Sequence, residues 1–326
     1  MLHARRDSTN ASYQGYWERF CQYCTERNLD PFEATIMEIV GFVDCCRRAK
    51  SWVYSTTKGC VAAITAFRDR IDGYTVFTHP AMHEYLQGAK RLTEGRTTLA
   101  ETWDPAVVLL ALERAPFEPL HLADMKWLSW KLAVLLLLTT AARGSEIAHL
   151  TVKNLEFSVN DVQATIYPDP TFVPKTVSEL QSRAPLVLHA FFPAPGTAEE
   201  QRYNLSCPVR ALRIYLTRTA AIRKSDRLLV SYRERSPGLA ISSQRLAHWL
   251  VEAVTKAYTM SNKPAPKLTA HSTRGVATSV ALLAGINWDV IRQTASWKSD
   301  GAFRKHYYRH VTVRSVADAV LRQVIP

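Results

Sequence analysis

The chain has 326 residues, more than one domain usually holds, and 47% of them are apolar, which excludes a disordered chain and points to two cored domains. Its net charge of +12 points to a polyanionic partner. Residues 1–96 carry 13 Lys+Arg against 11 Asp+Glu, a net of +2, so +10 lies in the remainder; a basic but inert surface is the plain alternative.

The opening Met1-Leu2-His3-Ala4-Arg5-Arg6 is basic, but no apolar stretch follows, so no signal peptide is expected. A first helix is predicted after a cap at Ser8 or Thr9. It carries Tyr13, Trp17, Phe20 and Cys24 on one face and ends by Asp30-Pro31. Cys21-x-x-Cys24 could begin a zinc site, but no matching Cys/His pair follows at finger spacing. The six cysteines therefore read as free thiols of a reducing compartment. A second helix is predicted over 35–48, with Ile36, Ile39, Val40 and Val43 inward. A third covers 53–71 and presents Val61, Ile64 and Phe67, and a fourth follows Pro80 with Met82, Tyr85 and Leu86. Residues 1–95 thus form a four-helix unit, and the polar stretch with Gly95 before Pro105 makes 96–104 a linker.

The second domain, 105–326, opens with helices over 105–114 and 122–140. The apolar run 132–138 is too short to span a bilayer and reads as a buried helix, so a soluble, intracellular protein without membrane contact is expected. A short helix is expected over 143–150. The alternating stretch 162–167, its continuation 171–173 and the partner 183–188 are predicted strands, with Lys175 at the hairpin between them. Pro208 opens a helix to about residue 223, and 228–230 reads as a short strand. Ser242 or Ser243 caps a helix through 256. Further helices are predicted over 272–284, 288–294, 302–308 and 313–324. The fold class is mainly α with a small antiparallel β-sheet.

One constellation in this basic domain carries chemistry. His271-Ser272-Thr273-Arg274 places a histidine and an arginine three apart at a helix start, on one face. A helix N-terminus adds partial positive charge suited to phosphate. Arg143 lies far upstream, in Ala141-Ala142-Arg143-Gly144-Ser145-Glu146. Trp297 follows in Ala295-Ser296-Trp297, and Tyr307 in His306-Tyr307-Tyr308-Arg309. Singly, each has a plainer reading as a solvated helix start, a core indole or a half-buried phenol. Together, two arginines, a histidine, an indole N–H and a phenol are what phosphoryl transfer onto a tyrosine requires.

This order of residues resembles the tyrosine recombinases, which include the phage integrases, over the whole chain. More narrowly, Phe172-Val173-Pro174-Lys175-Thr176, Leu205-Ser206-Cys207-Pro208-Val209-Arg210-Ala211-Leu212 and Ala270-His271-Ser272-Thr273-Arg274-Gly275 resemble recombinases of DIRS/Ngaro-type retrotransposons. The resemblance implies a helical core-binding (SAM-like) domain followed by a catalytic domain. It implies that Arg143 clamps the phosphate and that Glu146 orients Arg143. Lys175 would be the general acid for the 5′-oxygen, and His271 and Arg274 the second phosphate-binding cluster. Trp297 would give an N–H to a non-bridging oxygen, and Tyr307 would be the nucleophile, with no metal or nucleotide cofactor. Phage integrases usually place the tyrosine nine residues after the His/Trp position, which here is His306. Tyr307 and Tyr308 follow it, about 100° apart on a helix. The DIRS-like pattern of Phe303 before and Val311 after favours Tyr307.

The resemblance implies a recombinase of a mobile element that cleaves and rejoins double-stranded DNA through a 3′-phosphotyrosine. It would act as a homo-tetramer that exchanges its C-terminal helix, in the nucleus. A type IB topoisomerase and a domesticated, inactive DNA-binding protein are the alternatives.

Overall fold

A computed structural model of the chain describes residues 7–93, 103–167, 169–172 and 185–295. They fall into two compact units, Met1–Thr98 and Leu99–Pro326.

Helices α1 (Asp7–Thr25), α2 (Ile36–Ala49), α3 (Tyr54–Phe67) and α4 (Pro80–Thr93) make the first unit. The start of α2 is written locally. Thr35 Oγ1 accepts the Glu38 N–H, and the Glu38 carboxylate accepts the Thr35 N–H at 2.6 Å, a reciprocal cap. Trp17, Phe20, Ile39, Val43, Val61, Ile64, Met82 and Leu86 form the core, and Trp17 stacks on Phe67 at 5.2 Å. Val40 and Tyr85 are only half-buried. Helix α3 stops four residues short of the expected end. Asp72-Gly73 turns the chain through positive φ, and Ile71 and Tyr74 pair with each other across that turn. Cys24 and Cys60 are buried and all six cysteines are free thiols. Burial pushes Cys24 up to about 11 and Cys60 to about 12, so both stay protonated at neutral pH.

The second unit is built around one apolar helix. Asp104 caps α5 (Pro105–Leu112), with Pro105 in the first turn where its missing N–H costs nothing. Then comes α6 (Met125–Thr140), whose Leu128 and the run from Leu132 to Leu137 are all buried. After α7 (Gly144–Ala148) the chain forms β1 (Leu155–Phe157), β2 (Gln163–Ile166) and β3 (Leu186–His189). They make one antiparallel sheet, ordered β1-β2-β3, with Leu155 opposite Ile166 and Ala164 opposite Leu188. Helices α8 (Ala198–Leu205), α9 (Pro208–Thr219), α10 (Ser243–Met260), α11 (Ser272–Leu283) and α12 (Trp288–Thr294) complete the described part. Of these, α9, α10 and α11 pack on α6.

Three expectations need correction, and two elements are additions. Trp103 is not linker: it is 1% exposed and sits in the core of this unit. Strand β1 and helix α8 were not expected from the sequence. Thr171 and Phe172 are not strand; Asp169 instead accepts from the N–H and Oγ of Thr171 and turns the chain. Residues 228–230 form no strand. The buried Tyr215 hydroxyl accepts the Val230 N–H at 2.9 Å and donates to the Val230 carbonyl at 3.2 Å, satisfying backbone groups that a ladder would otherwise pair.

The motif around Cys207 is structural. Pro208 opens α9, and the Cys207 thiol caps it by accepting the Arg210 N–H at 3.4 Å. Arg210 forks onto both oxygens of Glu118, at 2.8 and 2.9 Å. Glu118 also meets Lys131 of α6 at 2.5 Å, and Lys131 donates to the Leu112 carbonyl at 2.7 Å. The Lys131 side chain is wholly buried, and that desolvation pulls its pKa down to about 8 although Glu118 opposes the shift. Burial pushes Glu118 up, but the Arg210 hydrogen bonds and the Lys131 charge outweigh it and hold the carboxyl below its usual range.

Candidate functional site

Arg143 is delivered by the end of α6. Thr140 Oγ1 donates to Leu136 O at 2.6 Å and accepts the Ala142 N–H at 3.2 Å. Between them Ala141 takes a left-handed conformation, φ 49°, which costs a non-glycine residue about 1 kcal/mol. Packing holds it there: Ala141 is buried against Ile291 and Ala295. The chain then re-extends at Arg143, which caps α7. Glu146 fixes this arginine twice. Its Oε2 accepts the Arg143 backbone N–H at 2.8 Å and its Oε1 accepts Nη1 at 2.7 Å. One carboxylate thus sets both the backbone and the fork of the guanidinium.

His271 and Arg274 come from the start of α11, where His271 is the cap residue. Arg274 is 2% exposed, and its Nη2 donates to the Ala295 carbonyl just after α12. Ser272 is buried and tied by its hydroxyl to the Thr269 carbonyl at 2.6 Å.

These elements close one cleft of about 200 Å³ in which Arg143, His271 and Arg274 meet. Leu137 of α6 and Leu246 and Ala247 of α10 form apolar walls, and Ala142, Gly144, Ala270 and Thr273 complete the lining. Two guanidinium groups and an imidazole against apolar walls make a site for an oxyanion, since field lines concentrate where polarisable solvent is thin. A guanidinium is a planar donor group whose geometry suits phosphate oxygens.

The segment before Lys175 is anchored at the other end of α7, where His149 follows the helix. Phe172 stacks on His149 at 4.3 Å between ring centres, and His149 Nδ1 lies 2.6 Å from the Ser145 carbonyl. Arg227 bridges the His149 carbonyl, at 2.6 Å, to Asp169, at 3.0 Å. Hydrogen bonds from Thr171, helped by the Arg227 charge, hold the Asp169 carboxyl below its usual range. The sequence marks Pro168-Asp169-Pro170 as a break in the strand pattern but gives no role to His149 or Arg227. An aspartate two residues before Thr171 was a legible turn signal, but its arginine partner was not. Lys175, Trp297 and Tyr307, and with them Tyr308, lie outside the described residues.

Among the described residues no cluster of His, Cys, Asp or Glu could hold a metal ion, and no helix is long and apolar enough to cross a membrane.

No family profile and no curated protein matches the sequence. Solved structures do match. One is the XerH site-specific recombinase bound to a palindromic difH substrate in a post-cleavage complex. It has a TM-score of 0.56 at 12% identity, over 88% of this chain and 72% of that one. A lambda integrase dimer bound to a COC′ core site gives 0.54 at 14% identity, over 96% and 93%. A lambda integrase tetramer bound to a Holliday junction gives 0.51 at 14% identity, over 93% and 72%. The chain has the tyrosine recombinase fold, mainly helical with a three-stranded antiparallel sheet.

Proposed function

We propose that this chain is a site-specific DNA recombinase of the tyrosine class. The observation that carries the reading is the convergence of Arg143, His271 and Arg274 on one cleft, within the fold shared with XerH and lambda integrase. The Tyr307 phenol attacks the scissile phosphorus, and its proton passes to a water molecule. The P–O5′ bond breaks, and the leaving oxygen takes a proton from the Lys175 ammonium. Arg143 and Arg274 neutralise the charge on the non-bridging oxygens of the pentavalent phosphorane, and His271 and Trp297 hydrogen-bond to them. The product is a 3′-phosphotyrosine, which a second 5′-hydroxyl reverses. The bond energy is kept, so neither nucleotide nor metal is required.

The finer reading is that of a mobile-element recombinase of the DIRS/Ngaro type. It acts in the nucleus as a homo-tetramer on double-stranded DNA and exchanges its C-terminal helix between protomers. The motifs around Lys175, Cys207 and His271 support the first part, and the +10 on the second part of the chain supports a duplex partner. The lambda integrase tetramer on a Holliday junction supports the assembly.

A suicide DNA substrate that traps the covalent intermediate tests the chemistry. Tyr307→Phe should abolish adducts and keep DNA binding, whereas Tyr308→Phe should leave adducts intact. Mass spectrometry of the trapped phosphopeptide identifies the linked residue. Adducts lost only in Tyr308→Phe would move the nucleophile one residue on. Adducts lost in neither would remove the tyrosine mechanism.

A further inference from the structure

We infer that Trp103 is a positioning residue for the oxyanion cleft, acting through Ser272 on His271 and Arg274. The inference rests on the recombinase reading only for its rate measurement.

Trp103 is 1% exposed, and its Nε1–H donates to Ser272 Oγ at 3.2 Å. Ser272 is the first residue of α11, directly after His271 and two before Arg274. Its own hydroxyl proton goes to Thr269 O at 2.6 Å, so the indole N–H fills the acceptor side of the same oxygen. The next residue is also tied down: the Asp104 N–H donates to Tyr258 Oη at 2.7 Å, and Asp104 Oδ1 caps α5 through the Ala106 N–H at 2.9 Å. Residues 103 and 104 therefore pin the end of α10 and the start of α11 to the start of α5. A buried indole N–H needs an acceptor wherever it sits; what is particular here is where that acceptor lies. Here its one donor is spent on the turn that aims a histidine and an arginine. Two arginines and an imidazole act on one phosphate only if their spacing holds to about 0.5 Å, and a shift of about 1 Å can cost on the order of 10²-fold in rate.

Trp103→Phe keeps a ring in the core and removes the N–H, and Ser272→Ala removes the acceptor while keeping the helix start. Both are measured in the full chain, along with the double variant. At saturating suicide substrate the single-turnover rate of adduct formation should fall about tenfold to a hundredfold in each, with DNA affinity within about twofold of the unaltered protein. Ser272→Ala also loses the bond to the Thr269 carbonyl, so it should be the slower single, and the double variant should be no slower than it. The imidazole N–H correlation of His271, identified by its loss in His271→Gln, should shift in the same direction in both variants. A purely structural role would lower stability and leave the rate per folded molecule and the His271 signal unchanged; either result, or additive rate losses, overturns the inference. If the unaltered protein forms no adduct, the recombinase reading fails, and the His271 signal alone then decides the positioning role.

Discussion

The buried ion triad of Glu118, Lys131 and Arg210 gives a prediction in which burial and pairing pull in opposite directions. Lys131 is wholly buried and Glu118 nearly so, while Arg210 keeps 24% of its side chain exposed. Glu118→Gln leaves two cations facing a neutral amide. Breaking a buried pair from one side costs about 3–5 kcal/mol. At about 2–4 °C per kcal/mol for a domain of this size, the melting temperature should fall by roughly 10 °C. Lys131→Met should behave differently. It keeps the stem in the core, leaves the Arg210–Glu118 fork intact and orphans only the Leu112 carbonyl, at a cost of about 1 kcal/mol. The drop of the Lys131 pKa from 10.5 to about 8 means that holding it protonated costs about 3 kcal/mol, which offsets that loss. Stability of Lys131→Met near pH 7 should therefore lie within about 2 kcal/mol of the unaltered protein. The pH dependence separates the two. Between pH 8 and 10.5 an unfolded lysine keeps its proton while the folded one has lost it. The unfolded state then binds more protons, so the unaltered protein gains stability relative to Lys131→Met as pH rises, by about 1.4 kcal/mol per unit at most. Urea unfolding followed by tryptophan fluorescence reads this, since six of the eight tryptophans lie in residues 99–326. Taking the difference between the two proteins cancels the cysteines and tyrosines that titrate in the same range. A flat difference curve, or one falling with pH, would refute the account of a desolvated lysine.

Three further outcomes follow from the site. Glu146→Gln cannot accept from both the Arg143 backbone and its guanidinium with full charge, so cleavage should slow about tenfold to a hundredfold in the trapping assay with little loss of DNA affinity. Thr273 is 1% exposed with an Oγ1 that has no hydrogen-bond partner among the described residues. Thr273→Val keeps its shape and should raise stability in urea by about 1 kcal/mol at an unchanged cleavage rate; a slower rate would show that the hydroxyl serves the phosphate. Lys175→Ala should slow cleavage of ordinary DNA by about 10²–10⁴ and recover on a bridging 5′-thio substrate, whose leaving group needs little protonation. No recovery would assign the proton to another group.

What the sequence told and what it withheld divide along the range of the interactions. The starts of α9 and α10 were legible because Pro208 and Ser242 are local start signals, and the structure adds caps of equally short range: Thr35 with Glu38, Asp104 with Ala106, Cys207 with Arg210. The pairing of His271 with Arg274 was legible for the same reason. Helix α8 was missed because none of its residues is buried, so it shows no apolar stripe. Residues 228–230 looked like a strand because three apolar residues in a row say only that they are buried. What pairs their backbone is decided elsewhere in the chain: the Leu228 N–H goes to the Leu150 carbonyl, and Val230 meets the Tyr215 hydroxyl from 15 residues away.

The site divides along the same line. Glu146 sits beside Arg143 in sequence and could be found there. What brings Arg143 to Arg274 could not. The backbone reverses at Ala141 in a conformation that alanine disfavours, and it is held there by Ile291 and Ala295. The carbonyl of Ala295 also receives the Arg274 guanidinium. Helix α12 and the residue that ends it therefore support both arginines, one through apolar packing on the strained turn and the other through a hydrogen bond. A substitution at Ile291 or Ala295 should disturb the cleft without touching a charged group. That dependence is a property of the packing, which no spacing of charged residues along the chain records.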